Sequence, residues 1–403
     1  MKKNRTFATM KRTWIWIGAL FTGALLGVLG IEWLNDVMSY IASIYTRLFQ
    51  LLAVPTVVLA VITTFATFGS KGSGKIFTRT LTYTLLTTFA AAAVGVVLFV
   101  LIAPGNLPSS LLTHHSSFLT PHSTSYSSHL ISIIPNNIVK PFLEGNVLSL
   151  LLLAFATGIG LAKLPDTDNK HVVVKGLLGL QDLLFLLIRW LIHVLPLGIV
   201  AFAAQLSTQL STGIVADSIG KYVLVVLGGN IIQFFVVLPL FLLLKGLNPV
   251  YVLSRMMPAV MMALFTKSSA ATLPVTIDTA ENRLGIQKKI ARFVLPVCTT
   301  INMNGCAAFI VITSLFVMQN GGMPLTWTSM LLWMVISVVS AIGNAGVPMG
   351  CFFLTISLMS SIEAPVAILG IILPIYTIID MVETAENVWS DSCVAAAVDC
   401  DFQ

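Results

Sequence analysis

Four acidic side chains within one predicted membrane helix are the residues best suited to chemistry in this sequence. Asp380, Glu383, Glu386 and Asp391 follow the apolar run PVAILGIILPIYT, where a hydrophobic helix would otherwise continue. The segment Phe293–Gln403 contains no Lys or Arg. A carboxylate in the bilayer centre is costly unless it is protonated, paired or bound to a cation. The segment therefore predicts a site for Na⁺, a proton or a ligand that carries an ammonium group.

The helical repeat places most of these polar groups on one face. Four residues fall within a narrow arc at about 100° per residue: Asp380, Thr384, Asn387 and Asp391. Glu383 lies roughly 60° to one side of this arc, and Glu386 points about 120° away from it. The stripe is roughly 16 Å long, so it forms a line of oxygen ligands.

An earlier polar segment, CTTINMNG, offers further oxygen donors to the same site. Its candidate ligands are Thr299, Thr300, Asn302 and Asn304. Oxygen donors of this kind suit hard cations such as Na⁺. The alternative interpretation is that Asp391 and Glu386 lie near an end of their helix and are solvated.

The elements that must position these residues are membrane helices. Of the 403 residues, 57% are hydrophobic and only 9% are charged, compared with roughly 25% charged in a soluble domain. Apolar runs comparable to the roughly 20 residues of a membrane-spanning helix occur at Trp14–Ile31, Leu51–Phe68, Leu81–Ala103, Val147–Leu161, Leu183–Leu206, Val223–Leu244, Phe293–Met318 and Met330–Ile362. The composition predicts an all-α polytopic membrane protein with about eight transmembrane helices.

The charge distribution predicts the orientation of the chain. The net charge of +6 does not indicate nucleic acid, because the basic residues cluster beside the spans. One cluster precedes the first span and another lies between the second and third spans: Lys2, Lys3, Arg5, Lys11 and Arg12, then Lys71, Lys75 and Arg79. By the positive-inside rule, both clusters and the N-terminus are cytoplasmic. We interpret the first apolar run as an uncleaved span rather than a signal peptide.

Histidines and cysteines are candidates for metal sites, but their spacing does not favour one. Four of the six histidines lie in the outer Ser/His-rich loop 104–146: His114, His115, His122 and His129. Their irregular spacing in a polar loop favours a connector. The five cysteines show no metal-binding spacing, so we expect them to be small core residues: Cys298, Cys306, Cys351, Cys393 and Cys400.

Two apolar segments after residue 244 are interrupted by small polar residues and a proline. They are MMALFTKSSAATLPVTI and VISVVSAIGNAGVPMGCFFLTIS, and each precedes a helix with embedded polar residues. Irregular backbone at membrane depth persists only where it is buried in protein or lines a cavity. Paired interruptions of this kind indicate a transporter binding site built from internal repeats. The order hairpin, helix, hairpin, helix predicts a duplicated unit.

The motifs FTKSSAATLPVT, TTINMNG, AIGNAGVP and DMVETAENVWSD resemble those of the glutamate transporter family, the dicarboxylate/amino acid:cation symporters. Weaker likenesses extend upstream, through RLFQLLAVPTVV and HVLPLGIVAF, so the resemblance covers nearly the whole chain. It implies a homotrimer with inverted repeats and an elevator mechanism. Residues 1–244 would be mainly scaffold, with the third span joining the transport domain, and residues 245–403 would be the transport core with two re-entrant hairpins.

The resemblance also implies roles for individual residues. Substrate-binding residues would be Ser268, Ser269, Gly343, Ala345, Gly346, Asp380, Glu383, Thr384 and Asn387. Asp380 would receive the substrate α-ammonium group, and the two serines would bind its α-carboxylate. One sodium site would use Asn302, Asn387 and Asp391, and a second would use Thr300, Met303 and the backbone around Ala341–Gly343. A third would use Thr87, Thr88, Asn302 and Asn304.

Two departures from the family pattern bear on substrate and ions. Acidic-substrate members carry Arg at the position of Glu383, where it pairs with the side-chain carboxylate of the substrate. With Glu there, the chain resembles the bacterial serine/threonine symporter branch, and we expect a small neutral amino acid. Members rich in coupled cations carry Asp at the position of Asn304, so we expect fewer coupled ions. The alternative functions are a Na⁺- or H⁺-coupled symporter of acidic amino acids or dicarboxylates, and a carrier of cationic amino acids.

Lys267 leaves the substrate class open. A Lys267–Glu383 ion pair would neutralise the pocket and favour a neutral ligand. If Lys267 faces water instead, a free Glu383 would attract a cationic side chain.

Other function classes fit the sequence poorly. An intramembrane acid protease needs aspartates facing each other from separate helices, whereas these carboxylates lie on one helix, so we expect no enzyme. A passive channel does not require a substrate-shaped pocket, although anion conduction could accompany transport. We expect a multi-pass protein of a bacterial inner membrane whose partners are the lipid bilayer, an amino acid and Na⁺, with no nucleic acid.

Overall fold

A computed structural model describes residues 15, 18–19, 21–68, 74–107, 134–144, 147–210, 214–342, 344, 346 and 349–403. Within these residues the secondary structure is helical, with no strand among them. The helices are α1 (Glu32–Phe68), α2 (Gly74–Ile102), α3 (Lys140–Glu144), α4 (Val147–Lys163), α5 (Asp168–Leu210), α6 (Ile214–Ile232), α7 (Leu238–Leu244), α8 (Pro249–Thr266), α9 (Ser269–Thr279), α10 (Lys288–Ile301), α11 (Asn304–Asn320), α12 (Trp327–Ala341), α13 (Gly350–Ser361) and α14 (Ala367–Asp401). The four histidines of the outer loop lie outside the described residues.

Six helical stretches in the described part of the chain are long and apolar enough to cross a membrane. They are Gly74–Ile102, Asp168–Ile188, Asp217–Leu244, Pro249–Thr266, Lys288–Asn320 and Ala367–Asp401. Shorter apolar helices accompany them, including α12 and α13. The prediction of an all-α multi-pass membrane protein is confirmed.

Most of the long helices in the first half of the chain pack against one another. α1 packs against α4 and α5, and α2 packs instead against α11, α6 and α12. Tyr45 of α1 donates its hydroxyl hydrogen to the carbonyl of Val194 in α5. The third predicted span, α2, therefore lies beside the helices of the second half.

The second half contains the two interrupted segments as pairs of packed helices. Hairpin 1 (residues 249–279) joins α8 to α9 through Lys267, whose backbone is left-handed with φ 54°, and Ser268, which caps α9. Hairpin 2 (residues 327–361) joins α12 to α13, and its described tip residues Gly346 and Met349 have φ of 63° and 66°. Both turns thus use left-handed backbone, which costs little at glycine but is unfavourable at Lys and Met.

The helices that follow the hairpins form the centre of this half. The apolar stretch Lys288–Asn320 is interrupted at Asn302–Met303, between α10 and α11, and all but one of the residues of α11 are buried. α14 packs against α8, α10 and α11. Its polar face is consequently enclosed by protein, as non-helical backbone and carboxylates at this depth require.

A polar cluster fixes one end of α14. Lys245 donates to Asp401 Oδ1 at 2.8 Å and to the hydroxyl of Tyr83, which itself donates to Asp401. Burial acts to lower the pKa of Lys245, but its hydrogen bonds with Asp401 and Tyr83 outweigh burial and raise it. The cluster ties the end of α14 to α2 and to the loop before α8.

Candidate functional site

A small cavity lies between the tips of the two hairpins, the start of α11 and the middle of α14. Its lining is Lys267, Ser269, Met303, Cys306, Asn344, Gly346, Cys351, Asp380, Glu383, Thr384 and Asn387. Seven of these residues were predicted as site residues from the sequence, so the structure brings most of the predicted substrate set together. Gly343 and Ala345 lie outside the described residues.

Three helix N-termini converge on this cavity. α9 begins at Ser269, α11 at Asn304 and α13 at Gly350. Backbone N–H groups at helix starts have no intrahelical acceptor and favour negative charge. Here Gly305 N donates to Asn387 Oδ1 at 3.0 Å, and Met349 N donates to Asp380 Oδ2 at 3.3 Å. The arrangement suits a carboxylate-bearing ligand.

The two hairpin tips touch each other over the cavity. Ser268 Oγ donates to the carbonyl of Gly346 at 2.9 Å, and Ala270 N approaches the same oxygen at 3.4 Å. A Cβ atom at Gly346 would lie 3.0 Å from the carbonyl oxygen of Thr299 and would require left-handed backbone. Only glycine permits this close approach without strain. Ser268 therefore lies beside the cavity and connects hairpin 1 to hairpin 2.

The four acidic residues in the middle of α14 are buried in the protein. Asp380, Glu383, Glu386 and Asp391 are 4%, 1%, 0% and 1% exposed. The alternative that Asp391 and Glu386 are solvated at a helix end is wrong, because α14 continues to Asp401 and other helices cover this part of it. In the described residues, Glu383 Oε1, both oxygens of Glu386 and Asp391 Oδ2 lack hydrogen-bond partners.

Tyr376 connects the two carboxylates nearest the cavity. Its hydroxyl oxygen lies 3.2 Å from Glu383 Oε2 and 3.4 Å from Asp380 Oδ1. A phenol has one hydrogen to donate, so it serves one carboxylate at a time. The ring stacks on Phe352 of α13 and contacts Phe309 of α11. Tyr376 is thereby held between hairpin 2 and the acidic face.

Lys267 reaches into the protein rather than into water. It is 6% exposed, and its Nζ donates to the carbonyl oxygen of Thr377 at 2.7 Å. Its positive charge also acts on Asp380. The water-facing alternative for Lys267 is therefore wrong in this conformation, while its pairing with Glu383 stays a prediction.

Two residues of the predicted first cation site, Asn302 and Asp391, are in contact further along α14. Asn302 Nδ2 donates to Asp391 Oδ1 at 3.0 Å and to Ser390 Oγ at 2.9 Å. The second carboxylate oxygen, Asp391 Oδ2, is one of the buried atoms without a partner. A hard cation would stabilise this unpartnered carboxylate oxygen. In this conformation Asn302 presents its amide nitrogen to Asp391, while its amide oxygen accepts a hydrogen bond from Thr87. Asn387 lies four residues from Asp391 on the same face of α14.

The residues of the predicted third cation site bond to each other. Thr88 Oγ1 donates to Asn304 Oδ1 at 2.8 Å, and Thr87 Oγ1 donates to Asn302 Oδ1 at 3.2 Å. Asn304 Nδ2 in turn donates to Ser390 Oγ at 2.7 Å. This network joins α2, α11 and α14 without a carboxylate of its own. Its neutral donors and acceptors satisfy one another, so the demand for a cation is weaker here than at Asp391.

The predicted second cation site is only partly described. Met303 lines the cavity, whereas Thr300 donates its hydroxyl hydrogen to Val297 at 2.8 Å within α10. Gly343, the end of its backbone segment, lies outside the described residues.

Several residues of the site were missed by sequence reasoning. Tyr376 lies four residues before Asp380 in α14, and Ser390 lies three residues after Asn387. Residues three or four apart are neighbours on a helix, so helical spacing could have identified both. Asn344, Cys306 and Cys351 come from different elements. Cys306 and Cys351 form a disulfide, which corrects the expectation that they are separate core residues.

Comparison with known proteins agrees with this architecture. A family model described as the sodium:dicarboxylate symporter family matches residues 13–400. Neutral amino acid transporter B(0) of Oryctolagus cuniculus is 28% identical over 381 residues, which cover 86% of this chain and 70% of the relative. Excitatory amino acid transporter 3 of the same organism is 26% identical, and the match covers 95% of this chain and 84% of the relative. A putative sodium-dependent excitatory amino acid transporter, glt-4 of Caenorhabditis elegans, is 26% identical, and the match covers 92% of this chain and 85% of the relative. The family and these relatives are transporters and not enzymes.

Proposed function

The chain belongs to the sodium:dicarboxylate symporter family, and on this premise we propose that it is a Na⁺-coupled symporter of a small neutral amino acid such as serine or threonine. One observation carries the proposal: the buried carboxylate of Asp380 shares a cavity with the start of α9 and the start of α13. A free amino acid carries one ammonium and one carboxylate group, which such a site complements.

The α-ammonium and α-carboxylate groups of the amino acid would bind to protein groups of opposite charge. Its α-ammonium group would lie against Asp380, and its α-carboxylate would accept hydrogen bonds from Ser269 and from backbone N–H groups of the hairpin tips. Charge-assisted hydrogen bonds of this kind are among the strongest available in a protein. Thr384 and Asn387 line the same cavity and would orient the molecule.

Glu383 would select against acidic side chains. It is buried beside the cavity, and one of its carboxylate oxygens lacks a described partner. A second carboxylate from aspartate or glutamate would face like charge in a low-dielectric site. A serine or threonine hydroxyl could instead donate to this oxygen. Transport of acidic or of cationic amino acids remains the competing proposal.

Na⁺ would be carried as a second substrate. Asp391 and Asn302, with Asn387, form the proposed cation site, and the neutral network of Thr87, Thr88 and Asn304 would bind a cation less strongly. A bound Na⁺ would supply the positive charge that a buried carboxylate otherwise lacks. Proton coupling is the alternative for the same carboxylate.

We also propose the larger arrangement that the family suggests. Residues 245–403, with α2, would move as a transport domain against a scaffold formed mainly by the rest of residues 1–244, in an elevator motion within a homotrimer. The packing of α2 on α11 supports its place with the moving part. The basic residues before the first span and around the start of α2 support a cytoplasmic N-terminus. We also propose a bacterial inner membrane as the location of the protein.

The test is uptake by purified protein in liposomes under an inward Na⁺ gradient. We expect labelled serine to accumulate above its external concentration and the accumulation to collapse when the gradient is dissipated. Labelled aspartate and lysine identify the competing substrate classes, and a pH gradient without Na⁺ tests proton coupling. Equilibration without accumulation would indicate a channel, because a channel cannot concentrate a solute without net charge.

Replacement of Glu383 by Arg tests the selectivity role. We expect the Glu383→Arg substitution to change the ratio of the serine and aspartate binding constants about a hundredfold in favour of aspartate, which corresponds to about 3 kcal/mol. The reason is that a guanidinium group would pair with the carboxylate of the substrate side chain. Competition of labelled serine binding by unlabelled aspartate measures this ratio. Glu383→Gln is the matched control and should show only the smaller gain from lost repulsion. A folded Glu383→Arg variant that still ignores aspartate would show that this position does not touch the substrate side chain.

A further inference from the structure

A buried tyrosine lies between the two carboxylates of the proposed substrate pocket. The hydroxyl oxygen of Tyr376 is 3.2 Å from Glu383 Oε2 and 3.4 Å from Asp380 Oδ1. Asp380 and Glu383 line the cavity, whereas Tyr376 is not among the described residues that line it. The hydroxyl group therefore acts on a ligand in this cavity through the two carboxylates.

The packing of the ring fixes the position of this hydroxyl group. Tyr376 is fully buried, and its ring centroid lies 5.2 Å from that of Phe352 and 4.5 Å from that of Phe309. The next residue of α14, Thr377, accepts a hydrogen bond from Lys267 Nζ through its carbonyl oxygen at 2.7 Å. The hydroxyl hydrogen can still rotate about its C–O bond, so it can turn towards either carboxylate.

The two carboxylates depend on the hydroxyl group to different degrees. Asp380 Oδ2 also accepts a hydrogen bond from the backbone N–H of Met349 at 3.3 Å. In the described part of the chain, Tyr376 is the one hydrogen-bond donor to Glu383, and Glu383 Oε1 has no partner. A buried carboxylate without donors has lost its hydration without compensation. Removal of the hydroxyl group should therefore affect Glu383 more than Asp380.

A bound ammonium group would decide which carboxylate receives the hydrogen. The α-ammonium group of the proposed substrate would give Asp380 a partner of opposite charge, and the single hydrogen of Tyr376 would then go to Glu383. A carboxylate group is planar, so a hydrogen bond that holds Oε2 also restricts the direction of Oε1. Glu383 Oε1 would thus be held in place as a hydrogen-bond acceptor.

We propose that Tyr376 is a positioning residue for the recognition of hydroxyl amino acids: it holds Glu383 Oε2, so that Glu383 Oε1 accepts the hydroxyl hydrogen of serine or threonine. The effect on ligands rests on the proposed function, whereas the bond between Tyr376 and Glu383 does not. Alanine carries the same ammonium and carboxylate groups but no hydroxyl group. A site that hydrogen-bonds a substrate hydroxyl discriminates against the analogue that lacks it, so the protein should prefer serine to alanine.

Replacement of Tyr376 by Phe tests this role, because it removes the hydroxyl group and keeps the buried ring. We expect wild type to bind serine about tenfold more tightly than alanine, and Tyr376→Phe to lose most of this preference through weaker serine binding. Binding of labelled serine to the purified full-length protein, and its displacement by unlabelled alanine, give both dissociation constants. A purely structural role would weaken both amino acids by the same factor, and that outcome would overturn the proposal. So would a wild type without a preference for serine.

Tyr222→Phe is the matched control. Tyr222 is equally buried, its hydroxyl oxygen lies 2.8 Å from Thr313 Oγ1, and it is not among the described residues that line the cavity. The ratio of the serine and alanine dissociation constants should keep its wild-type value in this variant. An equal loss of the preference in Tyr222→Phe and Tyr376→Phe would contradict a specific role of Tyr376.

A second measurement tests the bond between Tyr376 and Glu383 in the absence of any amino acid. It compares the thermal midpoints of wild type, Tyr376→Phe, Glu383→Met and the double variant. Tyr376→Phe should lower the midpoint of wild type more than that of the Glu383→Met protein, because residues in contact give non-additive effects. Additive shifts would show that the two side chains are not bonded.

The two measurements together separate this inference from the proposed function. If serine and alanine both bind but their ratio is the same in wild type and in Tyr376→Phe, the proposed function stands and the role of Tyr376 fails. If the midpoints are non-additive but no amino acid binds to wild type, the bond between Tyr376 and Glu383 stands. The proposed function then fails, and the recognition of hydroxyl amino acids fails with it.

Discussion

Replacement of Asp380 by Asn abolishes Na⁺-driven accumulation of serine and weakens serine binding by about 3 kcal/mol, about a hundredfold in Kd. The amide keeps the size of the side chain but removes the negative charge that faces the cavity. The substrate ammonium group then loses its charge partner, and an amide NH₂ directed at it adds repulsion. The buried ammonium of Lys267, whose charge acts on Asp380, would no longer be offset in the pocket.

Equilibrium binding of labelled serine to the purified variant measures this effect. Asp278→Asn is the matched control, because it makes the same change at an exposed position outside the cavity. It should bind serine as wild type does. The thermal midpoint of each variant establishes that the protein is folded before binding is compared. Unchanged serine affinity in a folded Asp380→Asn protein would show that this carboxylate does not bind the substrate.

Replacement of Asp391 by Asn shifts the Na⁺ dependence of serine binding to much higher Na⁺ concentrations. Asp391 Oδ2 is a buried carboxylate oxygen without a partner in the described part of the chain, and a cation is the group that would stabilise it best. With a neutral amide there, the apparent Na⁺ affinity should fall by about a hundredfold, which corresponds to about 3 kcal/mol. In Na⁺-free buffer the variant should be at least as stable as wild type, because an uncompensated buried charge has been removed.

Two titrations separate these effects. The first follows serine binding against Na⁺ concentration, and the second follows the thermal midpoint against Na⁺ concentration. Glu386→Gln is the matched control, since Glu386 is equally buried on the same helix and also lacks described partners. It should gain stability without Na⁺ and keep the Na⁺ affinity of wild type. A loss of Na⁺ affinity in Glu386→Gln, with none in Asp391→Asn, would show that the cation binds near Glu386 instead of Asp391.

The sequence by itself determined the membrane class, the order of the last helices and the acidic face of α14. These features depend on local properties, namely hydropathy over a span, small polar residues at an interruption, and the helical repeat. The residues Asp380, Thr384 and Asn387 could be grouped because they lie on one helix, and the structure gathers all three around one cavity. The family resemblance extended this grouping to the hairpin tips.

Only the tertiary structure decided which of these groups are enclosed and what they touch. Helical spacing could not tell that Glu386 and Asp391 are fully buried, because burial depends on helices that pack from elsewhere in the chain. The direction of Lys267 and the bonds of Thr88 to Asn304 were open for the same reason. The disulfide joins residues 45 apart in two different elements, and a pairing across that distance leaves no periodic signal. Local patterns determine which residues form a helix face, whereas long-range packing determines which faces meet.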